Sequence, residues 1–251
     1  MADQPSGAEP GDDASSPGSS SVSTPALADN LRVVREGIAE ASREAQRGAD
    51  DVTLVIVTKF HPASLVRSLH GLGERAFGEN RHQEAQAKSA ELADLDLEWH
   101  FVGQLQSKKA RQAAAYVRAI HSLDRDSVID ALGARDLDAD STLIDGFVQI
   151  NLTDDAARGG VDEVDVERFA DRVAATPGLT LRGVMAVAPL GVDPRRAFAR
   201  VREISESVVR NHPQATAISM GMSGDYRDAI LEGATHLRVG SAITGNRPAE
   251  R

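Results

Sequence analysis

Apolar residues recur along the chain in two alternating rhythms. From Ala26, ALADNLRVVREGIAEASREAQR sets Leu27, Leu31, Val34 and Ile38 at helical spacing among charged residues, which predicts an amphipathic helix. DVTLVIVTK follows, an unbroken apolar and β-branched run that ends at Lys59. Such runs suit a strand buried on both faces, as in a parallel sheet. The alternation then continues through strands at RAFGEN, EWHFVG, RAIHSL, DGFVQINL, LTLRGVMAV, ATAISMG and HLRVG, with a helical segment between each pair. One of these helices starts near Pro62, a residue suited to a first helical turn, and another covers about 162–175.

The pattern amounts to eight strand–helix units, which imply parallel pairing and right-handed crossovers. It predicts an α/β fold: a single (β/α)8 TIM-type barrel over residues 26–251, with an extra N-terminal helix and with its site at the C-terminal ends of the strands. An open doubly wound sheet is the alternative, and it normally carries a glycine-rich turn after its first strand. Here that turn reads Thr58-Lys59-Phe60-His61-Pro62, without glycine, which favours the barrel.

Residues 1–25 break the rhythm. They are rich in Ser, Pro and Gly and hold almost no large apolar side chains, so a disordered tail is expected. The tail lacks the basic and apolar regions of a secretory signal, and no run of apolar residues is long enough to span a bilayer. A cytoplasmic chain that binds no membrane is expected. The length of 251 residues suits one barrel-sized domain. A net charge of −10 argues against a broad nucleic-acid surface but leaves room for a small basic pocket. There is no cysteine, which excludes disulfides, thiolate metal sites and a cysteine nucleophile. The seven histidines show neither HxxxH nor HExxH spacing, and no metal is expected.

Candidate chemistry gathers where strands end. Lys59 closes the first strand. Its position alone also fits a solvated gatekeeper, but an amine held among apolar strands loses solvation, which favours the free base that attacks an aldehyde to form a Schiff base. Ser219-Met220-Gly221-Met222-Ser223-Gly224 follows the seventh strand, and Arg238-Val239-Gly240-Ser241 ends the eighth. Barrels recurrently bind phosphate in the loops after these two strands, so a phosphate cup is expected; ordinary tight turns are the plainer reading. Arg238 reads either as a donor to a cofactor ring nitrogen or as a partner of a nearby carboxylate. Gly78-Glu79-Asn80 and Trp99-His100 are further candidates for the pocket wall, with Trp99 and His100 also reading as core.

VTKFHP around Lys59, FGENRHQEA at 77–85, EWHFVGQLQSKK at 98–109, HSLDR at 121–125, VQINL at 148–152, GVMAV at 183–187, SMGMSGDYRDAI at 219–230 and LRVGSAITG at 237–245 occur in that order. Together they resemble the pyridoxal phosphate homeostasis protein family, single-domain barrels related to the N-terminal domain of alanine racemase. The resemblance covers about residues 27–247. It implies pyridoxal 5′-phosphate (PLP) as cofactor, held as a Schiff base on Lys59. It implies a phosphate site formed by Ser219, Met220, Gly221 and Ser223 with Gly240 and Ser241, and Arg238 at the pyridine nitrogen. Asn80 joins the expected cofactor-binding set. The implied role is to keep free PLP low and to supply it to apo PLP-dependent enzymes, as a monomer. The chain departs from the family at Gln104 and Lys108, where proline and asparagine are common, and at Arg158-Gly159-Gly160, which replaces a KSG-type loop.

The alternative is a PLP-dependent amino-acid racemase of weak activity. Racemisation needs a second acid/base on the face opposite the lysine. The related racemases draw a tyrosine for this from an added domain. This chain ends at Arg251, and its two tyrosines, Tyr116 and Tyr226, fall on or beside helices. No catalytic residue is therefore assigned.

Overall fold

The computed structural model describes residues 24–137 and 142–245. Eight parallel strands close into a barrel in sequence order: β1 (Thr53–Val57), β2 (Ala76–Glu79), β3 (Glu98–Phe101), β4 (Val117–Leu123), β5 (Ile144–Gln149), β6 (Leu179–Met185), β7 (Ala217–Ser219) and β8 (His236–Val239), with β8 pairing back onto β1. The helices around it are α1 (Thr24–Glu44), α2 (Ala63–Gly71), α3 (His82–Glu91), α4 (Ser107–Ala113), α5 (Asp126–Gly133), α6 (Val166–Ala174), α7 (Pro194–Asn211), α8 (Tyr226–Leu231) and the single turn α9 (Ser241–Thr244). The expected tail at 1–25 lies outside the described residues except for Thr24 and Pro25, which already belong to α1.

The two-residue period of a strand divides each one between two cores. On β1, Leu54 and Ile56 point outward into the main hydrophobic core against the helices, so Val55, Val57 and then Lys59 share the inward face. On β8, Leu237 and Val239 point outward, leaving His236, Arg238 and Gly240 inward. A second, smaller core fills the barrel itself with Ala119, Phe147, Met185 and Ala217. Three histidines share this interior: His121 stacks on Phe147 at 4.4 Å, and His100 and His236 lie against them.

Local chemistry fixes individual elements. Helix α7 opens with Pro194 in its first turn, and the Asp193 carboxylate accepts a bond from the Arg195 amide. Helix α1 buries Leu27, Leu31, Val34, Ile38 and Ala41 and packs against α8 and α9. Burying each larger side chain of that stripe contributes about 1.5–3 kcal/mol. Asn30 adds a bond to the Ile243 carbonyl at 3.1 Å.

Candidate functional site

At the C-terminal mouth of the barrel a cavity of about 470 Å³ is bounded by the ends of β1, β2, β3, β6, β7 and β8. Its size suits a small-molecule ligand. Val57, Val102, Val187 and Met222 give it apolar walls. Two glycines let the backbone close in. A Cβ on Gly103 would lie 2.3 Å from the Asn80 carbonyl oxygen, and one on Gly240 would lie 3.2 Å from that of Val57.

Lys59 stands at the rim in a four-residue turn closed by the His61 amide bonding to the Thr58 carbonyl at 3.1 Å. Phe60, the third residue of the turn, has φ +68°, the backbone state that a type II turn demands and that glycine normally supplies. Its amide donates to Glu84 Oε1 at 2.6 Å. Arg81 stacks on the Phe60 ring at 4.7 Å.

Across the mouth, the two small-residue turns meet. Ser223 Oγ accepts from the Gly240 amide at 3.3 Å and from the Ala242 amide at 3.2 Å, which ties the β7–α8 loop to the start of α9. Ser223, Gly224, Gly240 and Ser241 all face the cavity. Asn80 lines it as well, and its Oδ1 is a buried acceptor without a hydrogen-bond partner among the described residues.

Arg238 forms part of the floor and is 5% exposed. It donates to Ser219 Oγ at 2.7 Å and to the Ala186 carbonyl at 2.9 Å. Among the described residues no carboxylate pairs with it, so the salt-bridge reading does not apply. Burial lowers its pKa to about 10, which leaves it protonated at neutral pH. Below it a chain of bonds runs down the barrel axis: Ser219 to His121 Nδ1 at 2.7 Å, then His121 Nε2 to His100 Nδ1 at 2.9 Å. Among the described residues Ser219 Oγ bonds only to Arg238, which can only donate, and to His121, so its hydroxyl hydrogen is assigned to His121 Nδ1. His121 then carries its proton on Nε2 and donates to His100, whose own Nε2 is buried and has no hydrogen-bond partner among the described residues. Burial lowers the pKa of His100 to about 3 and that of His121 well below its usual value, so both are neutral.

Six of the nine expected site residues come together at one cavity: Lys59, Asn80, Ser223, Arg238, Gly240 and Ser241. Ser219, Met220 and Gly221 sit one tier lower. Ser219 lies beneath Arg238, Met220 points outward into the main core, and the Gly221 carbonyl accepts the Arg238 amide at 2.9 Å. Of the other candidates, Trp99 packs in the core against Phe77, and Glu79 turns outward to Lys88. Met222 and Gly224 fall within the run expected to form the phosphate cup, whereas the sequence reading did not single out Val57, Val102, Gly103 or Val187 as lining residues. Each stands within a few residues of a strand end, which was the available signal.

Residues 22–248 match the family model of the alanine racemase N-terminal domain. The chain is 41% identical over 211 residues to the pyridoxal phosphate homeostasis protein of Corynebacterium glutamicum, covering 82% of this chain and 95% of the relative. It is 34% identical over 227 residues to the protein of the same description from Escherichia coli, covering 88% and 97%. Among solved structures it is similar to PipY of Synechococcus elongatus with PLP bound, at TM-score 0.73 and 34% identity over 87% of this chain and all of that one. Alanine racemase from Corynebacterium glutamicum shares the fold, with TM-score 0.68 and 19% identity over 91% of this chain and 63% of that one.

Proposed function

The chain belongs to the alanine racemase N-terminal domain family and, within it, to the pyridoxal phosphate homeostasis proteins, and from that premise we propose that it binds PLP at the barrel mouth through Lys59, stores it and supplies it to other enzymes. One observation carries the reading. An amine, a permanent cation and two small-residue turns tied by Ser223 line a single cavity, and they match an aldehyde, a ring nitrogen and a phosphate in turn.

When bound, PLP supplies an electrophilic carbonyl carbon and an electron-withdrawing ring. The Lys59 amine adds to that carbon and one water leaves, so attachment requires no further reactant. Ser223, Gly224, Gly240 and Ser241 take the anionic end. Arg238 can only donate, so a ring nitrogen facing it stays an unprotonated acceptor and a poor electron sink. Among the described residues lining the cavity there is no carboxylate, histidine or tyrosine to act as a second acid/base opposite Lys59. Tyr116 is instead bonded to His82, and Tyr226 packs against α1. These features favour holding the cofactor over turning amino acids over.

Borohydride reduction followed by peptide mapping tests the attachment. Wild-type protein incubated with PLP is expected to turn yellow and to carry the reduced adduct on Lys59, while Lys59→Ala carries none. An adduct mapped to another residue overturns the assignment. Mixed with an apo-enzyme, the loaded protein is expected to pass PLP on faster than it releases PLP into buffer.

A further inference from the structure

Beneath the Lys59 turn lies a buried charged cluster that cofactor binding, as described above, does not use. Lys88 of α3 has a side chain 6% exposed, and its ammonium donates to three acceptors: the Thr58 carbonyl at 2.8 Å, Glu79 Oε1 at 2.6 Å and Glu84 Oε1 at 2.8 Å. Glu79, 1% exposed, also accepts from Thr58 Oγ1 at 2.7 Å, and its second oxygen is buried without a hydrogen-bond partner among the described residues. Burial outweighs the nearby ammonium and pushes the Glu79 carboxyl up.

Stability gives a weak reason for such a cluster, because buried ion pairs are often matched or bettered by well-packed apolar groups. Its placement is more telling. Lys88 holds the carbonyl of Thr58 and Glu84 holds the amide of Phe60, the two residues that flank Lys59. Phe60 keeps a positive φ that a bulky side chain disfavours, and such strain persists only where its surroundings impose it.

We propose that Glu84 and Lys88 form a clamp on the Thr58–His61 turn that aims the Lys59 side chain into the cavity, with Glu79 as the fixed counter-charge that seats Lys88. The inference rests on Lys59 being the attachment point. Glu84 and Lys88 are thus positioning residues, acting through the backbone on either side of the amine.

The test uses the full chain titrated with PLP, followed by visible absorbance and borohydride trapping. Losing a charge-assisted bond to the turn, Glu84→Ala is expected to bind PLP about tenfold more weakly and to trap a smaller fraction on Lys59 even at saturation, because the anion turns still hold the cofactor. Glu84→Gln is expected to restore both, since its amide oxygen can accept the Phe60 N–H. Glu232→Gln, which breaks an ion pair with Arg195 at the far end of α8, is expected to lower the melting temperature and leave affinity and trapped fraction unchanged. A readout without cofactor is hydrogen exchange at the Phe60 amide, expected to lose protection in Glu84→Ala and keep it in Glu84→Gln. If wild type is trapped on Lys59 and Glu84→Ala matches it in affinity, trapped fraction and exchange, the clamp is overturned alone. If wild type is trapped elsewhere, both the attachment and the clamp fall.

Discussion

Arg238 uses two of its five guanidinium N–H groups on Ser219 and on the Ala186 carbonyl, and it also lines the cavity. Ser219 is therefore a hinge between the cavity floor and the histidines below. Ser219→Ala removes the acceptor of a buried cation and the donor to His121 Nδ1 together. Leaving such groups unpaired costs about 1–3 kcal/mol, and urea denaturation is expected to show a loss of that size. PLP affinity should weaken too, since Arg238 loses the contact that orients it. An unchanged unfolding midpoint would argue that water replaces the hydroxyl. The sequence could mark the six-residue run after β7 as a loop of small residues, but not where the strand rhythm carries through it. Met220 still follows the outward phase and turns into the core, the chain leaves that phase at Gly221 with φ +90°, and Met222 to Gly224 then reach the ligand space. Glu84 and Lys88 were illegible for a related reason. A glutamate and a lysine four apart on a helix read as a solvated pair. Only the packing of α3 beneath the β1 turn buries Lys88 and half-buries Glu84 against the residues that flank Lys59.

Closure between β6 and β7 depends on a missing side chain. Gly183 has φ +148°, and a Cβ there would lie 1.8 Å from the Ala217 carbonyl oxygen, a backbone atom that cannot rotate away. Gly183→Ala is therefore expected to lose at least about 3 kcal/mol, through both strain and forced separation of the strands. Gly191 also has a positive φ, +78°, yet a Cβ there meets nothing within 4 Å. Gly191→Ala should cost only the backbone strain, about 1–2 kcal/mol. Melting temperatures of the two variants check the contrast, and equal losses would mean that φ alone governs both sites. The alternation of elements was legible because most strands are rich in apolar residues, β1 unbrokenly so. Boundaries were less so. The run ATAISMG suggested a strand of seven residues where β7 has three, Ala217–Ser219. The ladder nonetheless continues: the Met220 amide bonds to the His236 carbonyl and the Arg238 amide to that of Gly221. The chain keeps its pairing while leaving regular strand geometry, which residue pattern does not report.

The barrel interior as a whole carries its three histidines, His100, His121 and His236, in the neutral form at neutral pH. His100 and His121 are 4% and 0% exposed, with burial as the main cause of their lowered pKa values, and His236 is lowered to about 4. Unfolding returns each to an ordinary value near 6.5. Below that pH the unfolded chain binds protons that the folded barrel refuses, so stability is fully present above about pH 6.5 and is lost as pH falls toward the folded values. Each fully buried histidine contributes a slope of about 1.4 kcal/mol per pH unit, so His100 and His121 together give nearly 3. Against a typical domain stability of about 5–15 kcal/mol, two or three units of acid are then decisive. Net charge works the other way. The chain is at −10 near neutrality with a pI of about 5.2, so acidification toward pH 5 relieves self-repulsion and by itself should stabilise the fold. Carboxylates held low by ion pairs, such as Asp94 beside Arg67, lose their contribution only at more acidic pH. Glu79, whose carboxyl is pushed up by burial, gains stability as pH falls, so from pH 6.5 to about 4.5 it and the relief of net charge both oppose the histidines. Chemical denaturation across that interval is expected to show stability falling while net charge approaches zero. A rising profile there at high salt, where self-repulsion is screened, would mean that the barrel interior admits protons without unfolding, and that the three rings are less sequestered than their packing indicates.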